Sequence, residues 1–66
     1  MTIVYTSDGK ETLVREGAVE ILKLKQTTEM LGLSQLILDP LNPSKDPIIK
    51  PVYIAANHII KLYEKT

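Results

Sequence analysis

The chain has 66 residues, with eight Lys or Arg, eight Asp or Glu, one His and no Cys. This length predicts a single domain over residues 1–66, and a chain so short hides only about 60 % of the surface that its unfolded form exposes. The composition excludes disulfides, thiol catalysis and cysteine zinc sites, and zero net charge removes the phosphate attraction that dominates DNA affinity.

Residues 2–15 predict a β-hairpin with its turn at Asp8-Gly9. Asp-Gly is a strong hairpin signal, because the favoured two-residue turn needs positive φ at both positions. One face of the predicted hairpin carries Ile3, Tyr5, Thr12 and Val14. The opposite face carries Val4 and Leu13. Turn chemistry and apolar pattern agree on this register.

Residues 18–26 fit two periodicities. A helical stripe would include Ala18 and Ile21 but then meets Lys25, whereas a strand alternates leucine with lysine over residues 22–25. The β-branched side chains in this segment favour the strand, which we predict. Residues 27–34 predict a turn or a short helix. They are followed by a strand that ends at the proline of QLILDP.

Prolines divide the second half of the chain. The loop over residues 39–47 is rich in Pro, Asn, Ser and Asp, and it is either a docking arm for a partner or a stiffened connector. Residues 48–54 predict a strand. Pro51 must lie at its start or on a sheet edge, since proline cannot donate to a ladder. Residues 58–65 are strand-like, although their apolar spacing also fits a helical stripe.

The segment Asn57-His58 lies between two apolar runs. Residues 12–22 and 52–62 share a pattern of short strand, corner and second strand. In this comparison Asn57 takes the place of a glycine, which predicts an unusual φ there. His58 is then solvated or caps the corner. A catalytic histidine needs a partner within hydrogen-bond reach, and the nearest acid in sequence is Glu64.

Adjacent apolar residues recur at positions 36–38, 48–49, 52–54 and 59–60. Neighbours in a strand point to opposite faces, so these runs put apolar side chains on both faces of a sheet. A chain of this size has little with which to cover a second face. We therefore predict a homo-oligomer. Its fold class is mainly β, a small meander or barrel-like sheet with an N-terminal hairpin and room for one short helix.

Two segments, TSDGKETLV…AVEIL and VYIAANHIIKLYE, resemble small bacterial and phage β-domains such as the flagellar FlbD-type proteins. The resemblance covers residues 2–22 and 52–64. It consists of a strand, a corner similar to Asn-Pro, and an Ile-x-x-Ile-Glu pattern. The middle of the chain has no counterpart in that family. The resemblance implies a small β-domain and no particular activity.

Residues 22–34, LKLKQTTEMLGLS, resemble the first half of the helix-turn-helix of excisionase and MerR-like families, with Gly32 in the turn and Ser34 as the next cap. This resemblance implies a winged-helix DNA-binding protein. However, Pro40 would end the recognition helix early, and of its side chains only Gln35 is of a type that reads bases. DNA binding is therefore the alternative interpretation.

Candidate ligand- or partner-binding residues lie in the C-terminal segment. They are Tyr53, Asn57, His58, Lys61 and Tyr63. Tyrosine favours interfaces, because its body is apolar and its tip is polar. We expect no catalytic residues, metal or cofactor. The expected function is a non-enzymatic binding module, a cytoplasmic accessory protein of a bacterium or phage, which inhibits or regulates a host protein or sequesters a small ligand as an oligomer.

Overall fold

A computed structural model describes residues 1–65 and has a mainly β fold with one helix. The elements in chain order are β1 (Thr2–Thr6), β2 (Glu11–Val14), α1 (Ala18–Thr27), β3 (Met30–Ile37), β4 (Ile48–Ala55), a 3-10 turn (Ala56–His58) and β5 (Ile59–Glu64). The strands pair antiparallel in the order β4-β3-β2-β1-β5. The prediction of a mainly β sheet with an N-terminal hairpin is confirmed.

The sheet must curl strongly, because its two edge strands are joined only by the 3-10 turn. β4 ends at Ala55 and β5 begins at Ile59, yet these strands lie at opposite edges. The edge strands of a flat five-stranded sheet are about 19 Å apart at the usual spacing, whereas four residue steps span at most about 14 Å. The sheet therefore has a concave inner face and a convex outer face.

The inner face holds the hydrophobic core. Every strand and α1 contribute to it, through Val4, Val14, Ile21, Leu31, Leu33, Ile54, Ala56 and Ile59. From α1, Ile21 is fully buried, and Leu24 packs against the same cluster. Thr2 is buried as well, and its hydroxyl donates to Glu16 O at 2.7 Å. The helix thus covers part of the concave side of the sheet.

The N-terminal hairpin forms where predicted, but its register differs by one residue. Thr6 N donates to Lys10 O at 3.1 Å, so the loop has three residues instead of two. Within residues 1–65 only Gly9 has positive φ, at 84°, which is the left-handed glycine that closes a three-residue loop. The predicted turn also required positive φ at Asp8.

This one-residue shift exchanges the faces of one hairpin strand relative to the other, because side chains alternate along a strand. The prediction that Thr12 and Val14 share a face with Ile3 and Tyr5 was therefore wrong. The outer face carries Ile3, Tyr5 and Leu13, and the inner face carries Val4, Thr12 and Val14.

The prediction of a strand over residues 18–26 was also wrong, since this segment lies in α1. Ile21 and Leu24 are three residues apart and both face the core, as helical periodicity requires. Lys25, which interrupted the apolar stripe, lies at its margin, and its Nζ donates to Ile59 O at 3.3 Å. Packing of the helix on the sheet has outweighed the weak strand preference of its β-branched residues.

Residues 30–37 form strand β3, so the prediction of a turn or short helix over residues 27–34 was wrong for residues 30–34. Leu31 and Leu33 are buried, and Gly32 between them lies on the outer face. This alternation has the period of a strand. The helix-turn-helix resemblance assigns residues 34–39 to a recognition helix, but residues 34–37 lie in the same strand.

Asn57 and His58 do form the predicted corner, as part of the 3-10 turn. No non-glycine residue between positions 1 and 65 has positive φ, so the unusual φ predicted at Asn57 is not found. The turn is held instead by a backbone bond, in which Ala56 N donates to Glu29 O at 2.8 Å. Pro51 lies in edge strand β4, as predicted.

Candidate functional site

A row of apolar side chains crosses the outer face of the sheet from one edge to the other. The strand register places Tyr63 beside Ile3, and Ile3 beside Leu13. It also places Leu36 beside Ile49. Leu13 lies opposite Leu36, one step beyond the pair that β2 and β3 share. These five residues are called the apolar row.

The apolar row is accessible, because the core and α1 lie on the other face of the sheet. Its end residues, Tyr63 and Ile49, are 54 % and 51 % exposed. The three residues between them are partly exposed. Scattered apolar residues are ordinary on a protein surface, whereas large contiguous apolar patches are typical of interaction surfaces.

Charged side chains of both signs border the apolar row. Glu11 and Arg15 are exposed and lie two residues before and two residues after Leu13. On the β5 side, Lys61 Nζ lies 5.4 Å from the centroid of the Tyr5 ring, within range of a cation–π contact. Partial burial and the Glu11 carboxylate raise the pKa of Tyr5. An apolar centre with a charged rim is the usual anatomy of a protein interface.

β3 and β4 also extend beyond the core as a two-stranded arm, which comprises residues 35–50. The inner face of the arm carries a cross-strand pair, Ile37 and Ile48, which are 40 % and 61 % exposed. Its outer face carries the β3 and β4 members of the apolar row. Leu41, near the tip, is almost wholly exposed. An isolated hairpin is only marginally stable in water, so contact with another surface would stabilise the arm.

Side chains of the loop organise the tip of the arm. Leu41 N donates to Asp39 Oδ1 at 3.0 Å, and Ser44 Oγ donates to Asn42 Oδ1 at 3.0 Å. A backbone bond from Lys45 N to Asn42 O, at 3.0 Å, closes a second turn. The loop therefore holds the exposed Leu41 in a defined conformation.

Three of the five residues predicted to bind a ligand or partner lie on the outer face. Tyr63 belongs to the apolar row, and Lys61 borders it. Tyr53 lies further along β4, where its ring covers Gly32: a Cβ on that glycine would be 3.3 Å from Tyr53 Cε1. Tyr53 therefore packs on Gly32, although 72 % of its surface is exposed.

The other two predicted residues, Asn57 and His58, lie in the 3-10 turn and line two different clefts. Asn57 borders a shallow cleft of about 750 Å³ beside the C-terminal end of α1, with Lys25 and Glu29. His58 borders a cleft of about 230 Å³ near the hairpin turn, with Asp8. The five predicted residues therefore do not form a single site.

The cleft beside His58 is lined by both polar and apolar residues. Its carboxylate, that of Asp8, forms hydrogen bonds within the hairpin turn. Asp8 accepts hydrogen bonds from Thr6 Oγ1 and from Lys10 N. These bonds, with that from Thr6 first, lower the pKa of Asp8. A carboxylate with a lowered pKa is a weak proton acceptor at neutral pH. The arrangement stabilises the loop and offers little acid–base chemistry.

Other signs of a chemical site are absent from residues 1–65. In this part of the chain no three His, Asp or Glu side chains are grouped so that they would hold a metal ion. Every buried side-chain nitrogen or oxygen there has a hydrogen-bond partner, so no orphaned polar group marks a ligand position. None of the helical segments described has the length and apolar character needed to cross a membrane.

Sequence reasoning did not identify Ile3, Leu13, Leu36 and Ile49 as one surface. Leu36 and Ile49 were recognised as members of adjacent apolar runs, which predicted strands with two apolar faces. The row itself depends on the register of four strand pairs. Of these registers only that of the hairpin was predicted. The predicted register was shifted by one residue and so placed Leu13 and Ile3 on opposite faces of the sheet.

Comparison with known proteins gave no match for this chain: no family model, curated protein or solved structure is significantly similar to it.

Proposed function

We propose that this protein is a non-enzymatic binding module that acts as an oligomer and docks other protein surfaces through its outer sheet face and its arm. The observation that carries this proposal is the apolar row, which is continuous over five strands and bordered by charges of both signs. Burial of apolar surface is the main favourable term in protein association. The apolar row supplies that surface, and the charged side chains that border it would orient the partner.

The size of the chain supports the same proposal. A domain of this length has a marginal core, and oligomerisation is a common remedy when disulfides and metals are absent. The chain has no cysteine. Side chains that would complete a larger core, such as Ile48 and Ile49, are instead half exposed on the arm. Contact with another chain would remove them from water.

The arm is the proposed contact with the target protein. Its tip holds Leu38 and Leu41, which are 57 % and 94 % exposed. An accessory protein of a bacterium or phage, as the family resemblance suggests, would inhibit or regulate its cytoplasmic target by covering part of that target with this arm. Sequestration of a small ligand has less support, because the two clefts are open to solvent and their walls are only about half apolar, whereas ligand pockets are enclosed and mostly apolar.

The test is the solution mass, measured by light scattering across a dilution series. We expect the wild type to form a dimer or larger assembly that dissociates on dilution. Leu13→Lys places a charge at the centre of the apolar row and should weaken assembly at least about tenfold, as expected for a central interface residue. Ile49→Lys, at an exposed end of the row, should weaken it less.

The matched controls are Ile60→Lys and Leu22→Lys, which introduce the same charge at apolar positions that are 69 % and 49 % exposed but lie outside the row. Both should assemble as the wild type does. Circular dichroism would establish that each variant is folded. A wild type that stays monomeric at all concentrations, or row and control variants with equal effects, would disprove the proposal.

A further inference from the structure

We infer, on the basis of the proposed function, that the surface covering the apolar row is a second copy of this chain. In this arrangement two molecules pack face to face, and their two-fold axis runs along the row, across the strands. Three properties of the molecule lead to this geometry: the state of the two sheet edges, the placement of charge on β2, and the extent of the row.

The free edge of β4 is interrupted by Pro51. Pro51 pairs with Ser34 of β3. Ser34 O accepts from Arg15 N at 2.8 Å, and Ser34 N donates to Glu16 Oε1 at 2.9 Å. Both backbone groups of Ser34 therefore point toward β2 and away from β4. Alternation along the antiparallel pair then places the Pro51 nitrogen on the outer edge. That edge lacks a donor near its middle, which opposes addition of another strand.

The free edge of β5 is shielded by α1. Lys25 Nζ donates to Ile59 O at 3.3 Å, at the start of the strand. Ala18 N donates to Glu64 Oε1 at 3.4 Å, at its end. A covering helix is one of the ways in which proteins protect a sheet edge. Because both edges are obstructed, association by addition of strands is opposed, and the outer face, which carries the apolar row, is the sheet surface left for a second copy.

Charge on the outer face of β2 is self-complementary about Leu13. Glu11 and Arg15 lie at equal distances on either side of it, and within residues 1–65 neither forms an ion pair. A two-fold axis along the row sets Leu13 against its own copy and Glu11 against the partner's Arg15. Such an interface makes each contact twice, so two Glu11–Arg15 pairs form.

The other axis in the plane of the sheet, parallel to the strands, is disfavoured. It would place Glu11 against Glu11 and Arg15 against Arg15, and like charges in an interface repel. With the axis along the row, the curl of the sheet turns edge strand β5 away from the partner. Lys61 and Lys65 lie two residues on either side of Tyr63, so this axis sets Lys61 against the partner's Lys65. The curl of the sheet holds these like charges apart.

The extent of the row indicates a dimer of modest affinity. If the sheet were flat, the apolar row and the outward side chains on either side of it would cover at most roughly 450 Å² over five strands at ordinary sheet spacings. A standard stable interface buries about 800 Å² on each partner. We therefore expect a dissociation constant in the micromolar range, and the curl of the sheet concentrates the contact on β1, β2 and β3.

The experiment is a charge exchange followed by sedimentation equilibrium. Glu11→Arg gives a chain with Arg at both positions, and Arg15→Glu gives a chain with Glu at both. Each variant alone opposes like charges twice, so its dimer should dissociate with a constant raised about tenfold. An equimolar mixture should recover dimers of at least wild-type affinity, because both pairs are opposite in sign again. The double variant E11R/R15E should also dimerise with about the affinity of the wild type.

The control is Glu20→Arg, which makes the same charge change on an exposed position of α1 and should leave dimerisation unchanged. If both single variants dimerise as the wild type does while Leu13→Lys dissociates, the two-fold geometry is wrong and the proposed function stands. If Leu13→Lys has no effect either, or the wild type is a monomer, the proposed function fails together with this geometry.

Discussion

Glu16 continues the sheet beyond the last residue of β2. Arg15 N donates to Ser34 O, and the Glu16 carboxylate then accepts from Ser34 N at 2.9 Å, where no strand residue is available. Thr2 Oγ1 binds the Glu16 carbonyl from the other side. Partial burial raises the pKa of Glu16. Hydrogen bonds from Ser34 and from the backbone of Glu16 itself, together with the nearby Arg15 charge, outweigh this effect, and the pKa is lowered.

A group whose pKa is lowered by folding stabilises the fold above its unfolded pKa and loses that contribution as pH falls through the folded value. We therefore expect the free energy of unfolding to fall as pH drops below about 4.3, the ordinary value for glutamate. Glu16→Gln should reduce this dependence and cost about 1 kcal/mol at neutral pH. Urea unfolding at several pH values measures both the pH dependence of stability and the loss of stability at neutral pH. Glu20→Gln, on the exposed helix surface, is the control, and an unchanged pH slope in Glu16→Gln would refute the assignment.

At the scale of the element, the edge strands determine how copies of the chain can meet. β4 pairs with β3 over eight residues, and its outer edge would be a long, apolar template without Pro51. Unprotected apolar edges promote aggregation. The proline therefore opposes growth of the sheet by addition of strands, at little cost to pairing with β3, because its nitrogen faces away from that strand.

Pro51→Thr restores the missing N–H and a residue that favours strands. We expect this variant to form assemblies larger than the wild-type species, with turbidity that rises with protein concentration. Pro43→Thr, in the loop of the arm, is the matched control and should behave as the wild type. Equal solution masses for the two variants over the whole concentration range would show that Pro51 does not guard the edge.

At the scale of the whole molecule, folding and association should be coupled. Buried apolar residues are few in a chain of this size, while several large apolar side chains on the arm and the outer face are half exposed. A partner that binds only the folded chain stabilises it by mass action. The stability of this protein is therefore expected to depend on its own concentration.

The melting temperature measures this coupling. We expect it to rise with protein concentration for the wild type, because dimer formation favours the folded state. For Leu13→Lys it should be independent of concentration, and for Ile60→Lys it should follow the wild type. A wild-type melting temperature that does not change over a hundredfold dilution would argue against a folded dimer in that range.

Several properties of this protein were determined by local sequence. The position of the hairpin follows from Asp8-Gly9 between two apolar runs, and the edge position of Pro51 follows from its missing donor. The corner at residues 56–58 follows from two apolar runs that a short polar segment separates. The exclusion of disulfides and cysteine metal sites follows from composition alone.

Other properties were decided only by the tertiary structure. α1 is helical because Ile21 and Leu24 meet a core supplied by distant strands, which no local preference reports. The hairpin register, with Gly9 alone at positive φ, decides that Leu13 joins Ile3 on the outer face. A shift of one residue moves a side chain to the opposite face. The apolar row therefore exists only once all four strand registers are set, because it is assembled from side chains that are far apart in sequence.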